Sequence, residues 1–184
     1  MNIVTQTTAG MAEAVTTLRR GGVIVYPTDT AYALGGKFRS RGVQQKILRI
    51  KKRRDTKFTL IASSLRQVEK FFKLSVAQKK LAQQYWPGPL SIVVSPRFAV
   101  RVPNNSVARA LARGAQQPLI ATSANFSGEQ TLYDAKKIIA QFSYEKHQPD
   151  VLINAGRLKK MKPSTVVKIS AGQLVVVRKG SAVI

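Results

Sequence analysis

Leu119-Ile120-Ala121-Thr122-Ser123-Ala124-Asn125-Phe126-Ser127-Gly128 is the stretch that decides the fold. Pro118 followed by the apolar Leu119-Ile120-Ala121 predicts a short buried strand. The strand runs into Thr122, Ser123, Asn125, Ser127 and Gly128, which carry hydroxyl and amide groups and suit a turn. Small polar groups at the carboxyl end of a strand can reach a ligand in the crevice of an α/β sheet. The stretch also reads as an ordinary strand and loop, so its neighbours have to decide.

Downstream, Tyr133 to Phe142 predicts a helix with Ile138, Ile139 and Phe142 on its apolar face. Val151-Leu152-Ile153 is a strand, Gly156 to Lys162 a basic loop, and Thr165–Ile169 with Leu174–Arg178 a β-hairpin. Upstream, Ser106 is the expected cap of a helix through Val107, Ala110 and Leu111, preceded by extended Val100 to Pro103. A helix from Thr8 stops at Gly21-Gly22, and Val23 to Tyr26 forms a buried strand ended by Pro27. Thr28-Asp29-Thr30 is a polar turn, and Ala31 to Gly36 offers small residues where a ligand can approach. A helix over Arg41 to Ile50 delivers Lys51, Lys52, Arg53, Arg54 and Lys57, more cations than a helix C-terminus needs. Phe58–Ala62 is a strand and Ser64 caps a helix over Leu65–Phe72. Ser75 caps another helix, which ends at Trp86-Pro87-Gly88-Pro89 before the strand Leu90–Val94. Interleaved helices and strands ending in a hairpin predict one α/β domain over 1–184, a twisted mixed sheet flanked by helices.

Composition narrows the chemistry. Lys plus Arg number 31 against 8 Asp plus Glu, a formal net charge of +23. Such a chain attracts polyanions: nucleic acid, nucleotide phosphates or an anionic membrane surface. There is no cysteine, which removes disulfides and thiolate catalysis, and His147 is the one histidine. It lies in the polar run Ser143 to Asp150, expected to be a surface turn. Met1 to Gly10 does not read as a signal peptide, and no apolar run approaches a membrane span, so a cytoplasmic location is expected.

Several stretches match one family together. Tyr26-Pro27-Thr28-Asp29-Thr30 with Tyr32 and Leu34-Gly35, Lys51 and Arg53, and Trp86-Pro87-Gly88-Pro89-Leu90 resemble the YrdC (TsaC) family. So do Arg101-Val102-Pro103, Ser123-Ala124-Asn125-Phe126-Ser127-Gly128, Pro163-Ser164-Thr165-Val166-Val167 and Val177-Arg178-Lys179-Gly180. The resemblance implies a YrdC-like single domain with a concave basic cleft and the activity of an L-threonylcarbamoyladenylate synthase. That enzyme makes threonylcarbamoyl-AMP and pyrophosphate from L-threonine, bicarbonate or CO2, and ATP. Downstream proteins then move the threonylcarbamoyl group to tRNA.

The residue inventory suits that chemistry. Displacement at the α-phosphorus demands positioning and cations more than a side-chain nucleophile. Lys51 and Arg53 are the expected catalytic cations, with Lys57 completing a phosphate clamp. By resemblance, Arg53, Lys57, Ser123, Thr131 and Arg178 contact ATP. Thr30, Arg101, Ala121 and Ser164 contact threonine, Arg101 taking the carboxylate and the Ala121 carbonyl orienting the amine. Asn125 supports the loop, and Trp86 to Pro89 is either a pocket wall or a helix stop. Mg2+ is expected on ATP oxygens, with no protein metal ligands, Asp29 included.

The sequence departs from the family at Arg54 (proline), Ala33 (glycine), Gly36 (cysteine), Ala62 and Asn105 (histidines in relatives). A rival expectation from the charge is an RNA-binding or ribosome-maturation protein that binds tRNA or double-stranded RNA without nucleotide turnover.

Overall fold

The computed structural model describes all residues, Met1–Ile184. Ten strands and six helices alternate along the chain. They are β1 (Asn2–Thr5), α1 (Thr8–Arg19), β2 (Ile24–Pro27), β3 (Tyr32–Gly35), α2 (Arg41–Lys51), β4 (Phe58–Ile61), α3 (Leu65–Glu69) and α4 (Val76–Tyr85). There follow β5 (Leu90–Val93), β6 (Phe98–Arg101), α5 (Ser106–Gly114), β7 (Leu119–Ser123), α6 (Ala135–Phe142), β8 (Val151–Asn154), β9 (Thr165–Ser170) and β10 (Gln173–Arg178).

One sheet runs β1-β8-β2-β3-β7-β4-β6-β5-β9-β10. It is mixed: β1/β8, β2/β8, β4/β6 and β5/β9 are parallel, and the remaining neighbours antiparallel. The deciding stretch lies mid-sheet, with β7 paired to β3 on one side and β4 on the other.

Strand periodicity sorts the core into two layers, because successive side chains point to opposite faces. Val23, Val25, Leu34, Leu60, Ile120 and Leu152 face α2 and α6, whose Ile47, Ile50, Ile138 and Phe142 meet them. Ile24, Tyr26, Ile61, Leu119, Val151 and Ile153 face α1 and α5, through Ala14, Leu18, Ala108 and Leu111. Helices pack on both faces of the sheet, and the register partners Thr59, Ala99 and Ala121 of β4, β6 and β7 leave one stretch of sheet face open to a cavity.

Four local differences from the sequence expectation have physical causes. Thr122 and Ser123 remain in β7 because Leu34 and Ala33 of β3 pair with them, so the loop begins only after Ser123. β3 itself contains no β-branched residue and is held in the sheet by partners on both sides. Asn105, not Ser106, caps α5: its Oδ1 accepts from the Ala108 N–H at 2.9 Å. Helix α3 ends at Glu69, and Phe71 and Phe72 turn back to pack on Phe38, each with ring centroids 5.5 Å away.

Gly35 fixes how closely β3 approaches β7. A Cβ there would collide with the Ile120 carbonyl, its carbon lying 2.7 Å away, and the Ile120 N–H donates to the Gly36 carbonyl at 2.8 Å. Gly35→Ala is expected to destabilise the protein by about 3 kcal/mol, because neither backbone can yield without breaking the central pairing. Urea unfolding checks this as a lowered midpoint at unchanged slope.

Candidate active site

A cavity of about 700 Å³ opens at the crevice, lined from β3, β4, β6, β7, the β9–β10 hairpin and the turns after β2 and α2. Thr30, Arg53, Lys57, Arg101, Ala121, Ser123, Thr131, Ser164 and Arg178 all line it. Lys51 and Asn125 line an adjoining polar recess of about 450 Å³, which shares Arg53, Asp55, Thr122, Ser123 and Thr131 with the main cavity. Every site residue picked out in the sequence is thus brought to one connected space, though the chain separates Thr30 from Arg178 by most of its length.

The main cavity's charged lining is Arg53, Lys57, Arg97, Arg101 and Arg178 against Asp55 alone. Arg53 leaves the end of α2 through Lys52, whose backbone adopts the left-handed conformation (φ 53°) and turns the chain toward the cavity. Its Nη2 donates to Asp55 Oδ2 at 2.6 Å and to the Lys57 carbonyl at 2.7 Å, while the Lys57 N–H donates to Asp55 Oδ1 at 2.9 Å. The Lys57 backbone bond, then Arg53, holds the Asp55 carboxyl below its ordinary range. This small ring shapes the 53–57 loop and leaves the Arg53 Nε and Nη1 hydrogens without protein acceptors.

Lys51, the last residue of α2, is buried. Its ammonium donates to the Ser123 and Asn125 carbonyls, both at 2.7 Å, and to Asn125 Oδ1 at 3.4 Å. The Lys51 carbonyl accepts from the Ser127 N–H at 2.9 Å, and Asn125 Nδ2 closes the loop onto the Glu129 carbonyl at 2.7 Å. The last helical residue of α2 therefore pins the loop after β7, and its charge lies behind that loop rather than open like a clamp. Burial first, and the Arg53 charge second, push the Lys51 pKa down to about 8.

At the other wall, Arg101 ends β6 and is 4% exposed. Its Nη1 donates to Asp29 Oδ1 and Oδ2 at 2.6 and 2.9 Å, and Nη2 to Thr30 Oγ1 at 3.1 Å. Ser164, also buried, shares a hydroxyl bond with the fully buried Ser91 at 2.9 Å. Arg178 reaches back from β10 to Ser164, its Nη2 donating to the carbonyl at 2.8 Å and to Oγ at 3.1 Å. Burial, then the positive charge of Arg101, lowers the Arg178 pKa. The residue expected beside the nucleotide is thus tied to one expected beside threonine.

Sequence reasoning missed several lining residues, including Phe58, Arg97 and Tyr133, and gave Tyr32, a motif residue, no role. Tyr32 gave no sign of its role: its hydroxyl donates to the Gly156 carbonyl and accepts from the Ala155 N–H, both at 2.9 Å. Trp86 to Pro89 does not line the cavity. The turn is structural, with Trp86 Nε1 donating to the Leu90 carbonyl and the Gly88 N–H to the Val102 carbonyl.

The departures also find places. Ala62 is buried outside the lining, Asn105 caps α5, and Arg54 lines the polar recess. Gly36 leaves no room for a side chain, since a Cβ would meet Val43 Cγ1 and the Gly22 carbonyl at 2.7 and 2.8 Å. His147 is exposed and lies outside the cavity lining. No group of three or more Asp, Glu or His side chains is arranged to hold a metal; Asp55 in the cavity lining serves Arg53, and Asp29 serves Arg101. No helix is long and apolar enough to cross a membrane.

The Sua5_yciO_yrdC family model, described as "Telomere recombination", matches residues 16–180. An Escherichia coli K12 protein named "Uncharacterized protein YciO" is 32% identical, over 91% of this chain and 87% of that protein. A protein of Chromobacterium violaceum named "Threonylcarbamoyl-AMP synthase" is 34% identical, over 85% of this chain and 87% of its own length. Among solved structures, P. abyssi Sua5 complexed with L-threonine superposes with a TM-score of 0.84 at 26% identity, covering 97% of this chain and 57% of that one. The chain therefore spans somewhat over half the length of P. abyssi Sua5, whereas it matches 93% of the E. coli YciO structure (TM-score 0.82, 29% identity, 97% of this chain). With its mixed sheet, its crevice and the match over residues 16–180, the chain belongs to the Sua5/YciO/YrdC family.

Proposed function

We propose that this protein is an L-threonylcarbamoyl-AMP synthase, a nucleotidyltransferase that joins L-threonine, bicarbonate-derived CO2 and AMP. One observation carries the reading: the cations expected for ATP and the groups expected for an amino acid line the same cavity. Its volume, about 700 Å³, falls within the usual range for small-molecule sites.

In this reading the threonine carboxylate meets Arg101, with Thr30, Ser164 and the Ala121 carbonyl orienting the rest of the molecule. The amine adds CO2 and releases a proton to give a carbamate. A carbamate oxygen then attacks the α-phosphorus of ATP, the bond from that phosphorus to the β-bridging oxygen breaks, and pyrophosphate leaves. Arg53 and Lys57 stabilise charge moving onto the leaving phosphates. Ser123 and Thr131 hydroxyls hold phosphate or ribose, and Arg178 borders the nucleotide while holding Ser164. Lys51 and Asn125 keep the Ser123 loop in place. Magnesium fits this arrangement as an ion carried on ATP oxygens, where it offsets phosphate charge, since the nearby carboxylates are engaged.

The test is pyrophosphate release from ATP with bicarbonate and magnesium, with and without L-threonine. Release that requires threonine supports the reading, and release indifferent to it rejects it. The formal charge of +23 favours one rival, an RNA-binding protein. Salt-sensitive RNA binding without nucleotide turnover would select that rival. Transfer of the threonylcarbamoyl group to tRNA by partner proteins is the proposed fate of the product.

A further inference from the structure

Arg101 holds its guanidinium almost entirely inside the protein, yet lines the cavity. A buried, flexible cation reads an anion well only if something fixes its plane. That fixing comes from one side. Asp29 accepts from Nη1 with both carboxylate oxygens, and the Thr30 hydroxyl accepts one hydrogen of Nη2. Arg101 Nε has no protein acceptor, and one Nη2 hydrogen remains. A guanidinium in this state can still offer a two-donor fork to a planar anion.

Asp29 itself does not line the cavity. Its side chain is 13% exposed, and Oδ2 also accepts from the Asn104 N–H at 3.1 Å. One carboxylate thereby joins the turn after β2, the end of β6 and the segment leading into α5, whose cap is the adjacent Asn105. The pair is short, at 2.6 Å, and both members are shielded from solvent. Removing one partner of such a pair leaves the other charged, buried and free to rotate. We infer that Asp29 is a positioning residue, which aims the unpartnered Nε/Nη2 edge of Arg101 at the carboxylate of the amino-acid substrate. The inference rests on the synthase reading and adds to it the residue that sets recognition of the substrate's carboxylate.

The experiment compares wild type, Asp29→Asn and Asp29→Glu by pyrophosphate release, using L-threonine and L-threoninamide, which lacks the anionic carboxylate. In Asp29→Asn the KM for threonine rises about 10- to 50-fold, while the KM for ATP moves less than about threefold. The preference for threonine over threoninamide shrinks by a similar factor, because the lost contact is the one made to the carboxylate. Asp29→Glu keeps the charge and falls between wild type and Asp29→Asn.

A purely structural role moves the two KM values together and leaves the threonine-to-threoninamide ratio at its wild-type value. Either result overturns the inference. Should Asp29→Asn fail to fold, Asp29→Glu alone decides: a selective rise in threonine KM supports the inference, and wild-type kinetics contradict it. Wild-type protein without threonine-dependent release overturns the synthase reading and this inference with it. Threonine-dependent release with unaltered kinetics in the variants overturns the inference alone.

Discussion

Arg53→Ala is expected to lower kcat/KM for ATP by about 10²- to 10³-fold, the usual cost of removing a donor that stabilises transition-state charge. Arg53 is the cation placed to act on both spaces, since it lines the main cavity and the polar recess. Its Nη2 is held by Asp55 and the Lys57 carbonyl, so the guanidinium is fixed while Nε and Nη1 keep hydrogens without protein acceptors. That preorganisation is why the loss should appear mainly in kcat, as charge builds on the departing phosphates. Arg53→Lys keeps a charge but not the planar fork, and should recover only part of the activity. His147→Ala is the control: an exposed residue on a surface turn, it should leave turnover unchanged. Steady-state pyrophosphate release checks all three.

Lys51→Met is expected to reduce turnover by about 10²-fold or more through a different route. The substitution keeps an unbranched side chain but leaves the Ser123 and Asn125 carbonyls without their ammonium donor. The Ser123 carbonyl keeps the Asn125 N–H at 3.0 Å, so the Asn125 carbonyl is the one left unpaired, at a cost of about 1–3 kcal/mol, and the loop carrying Ser123 loses its anchor. The buried ammonium also links stability to pH. Its folded pKa, about 8, lies below the ordinary 10.5, so between those values the folded protein binds fewer protons than the unfolded chain. The stability from this group is fully present above about 10.5 and is lost as the pH falls through about 8. The whole window is worth on the order of 3 kcal/mol. Measured by urea unfolding, the stability gap between wild type and Lys51→Met should widen as the pH rises through that window. A gap independent of pH would contradict the buried-ammonium assignment.

Much of this fold is legible in the sequence because its signals are local. Short apolar runs in β2, β4, β7 and β8, the Ser64 and Ser75 caps and the Ser170–Gln173 turn each act over a few residues. β3 and the last two residues of β7 are less legible, because pairing across the sheet, not propensity, makes them strand. The same division holds at the site. Residue type and family motif pick out which groups reach the cavity, delivered from strand faces, from the turns beside strands and from the end of α2. What each donor does there depends on partners distant in the chain. Lys51 meets the 123–125 loop, Arg101 meets Asp29 across 72 positions, and Arg178 meets Ser164 across the hairpin. Spacing carries no trace of those partners, so a run of cations reads as an open clamp when one member is a buried anchor.

The most direct measurement follows the reaction's carbon. Incubating the protein with ATP, L-threonine, magnesium and radiolabelled bicarbonate, then separating nucleotides by chromatography, should give one labelled adenylate that appears only when threonine is present. It should release one pyrophosphate per label incorporated. ATP consumed with no label entering any nucleotide, or label entering without threonine, would contradict a cleft that joins a carbamylated amino acid to AMP.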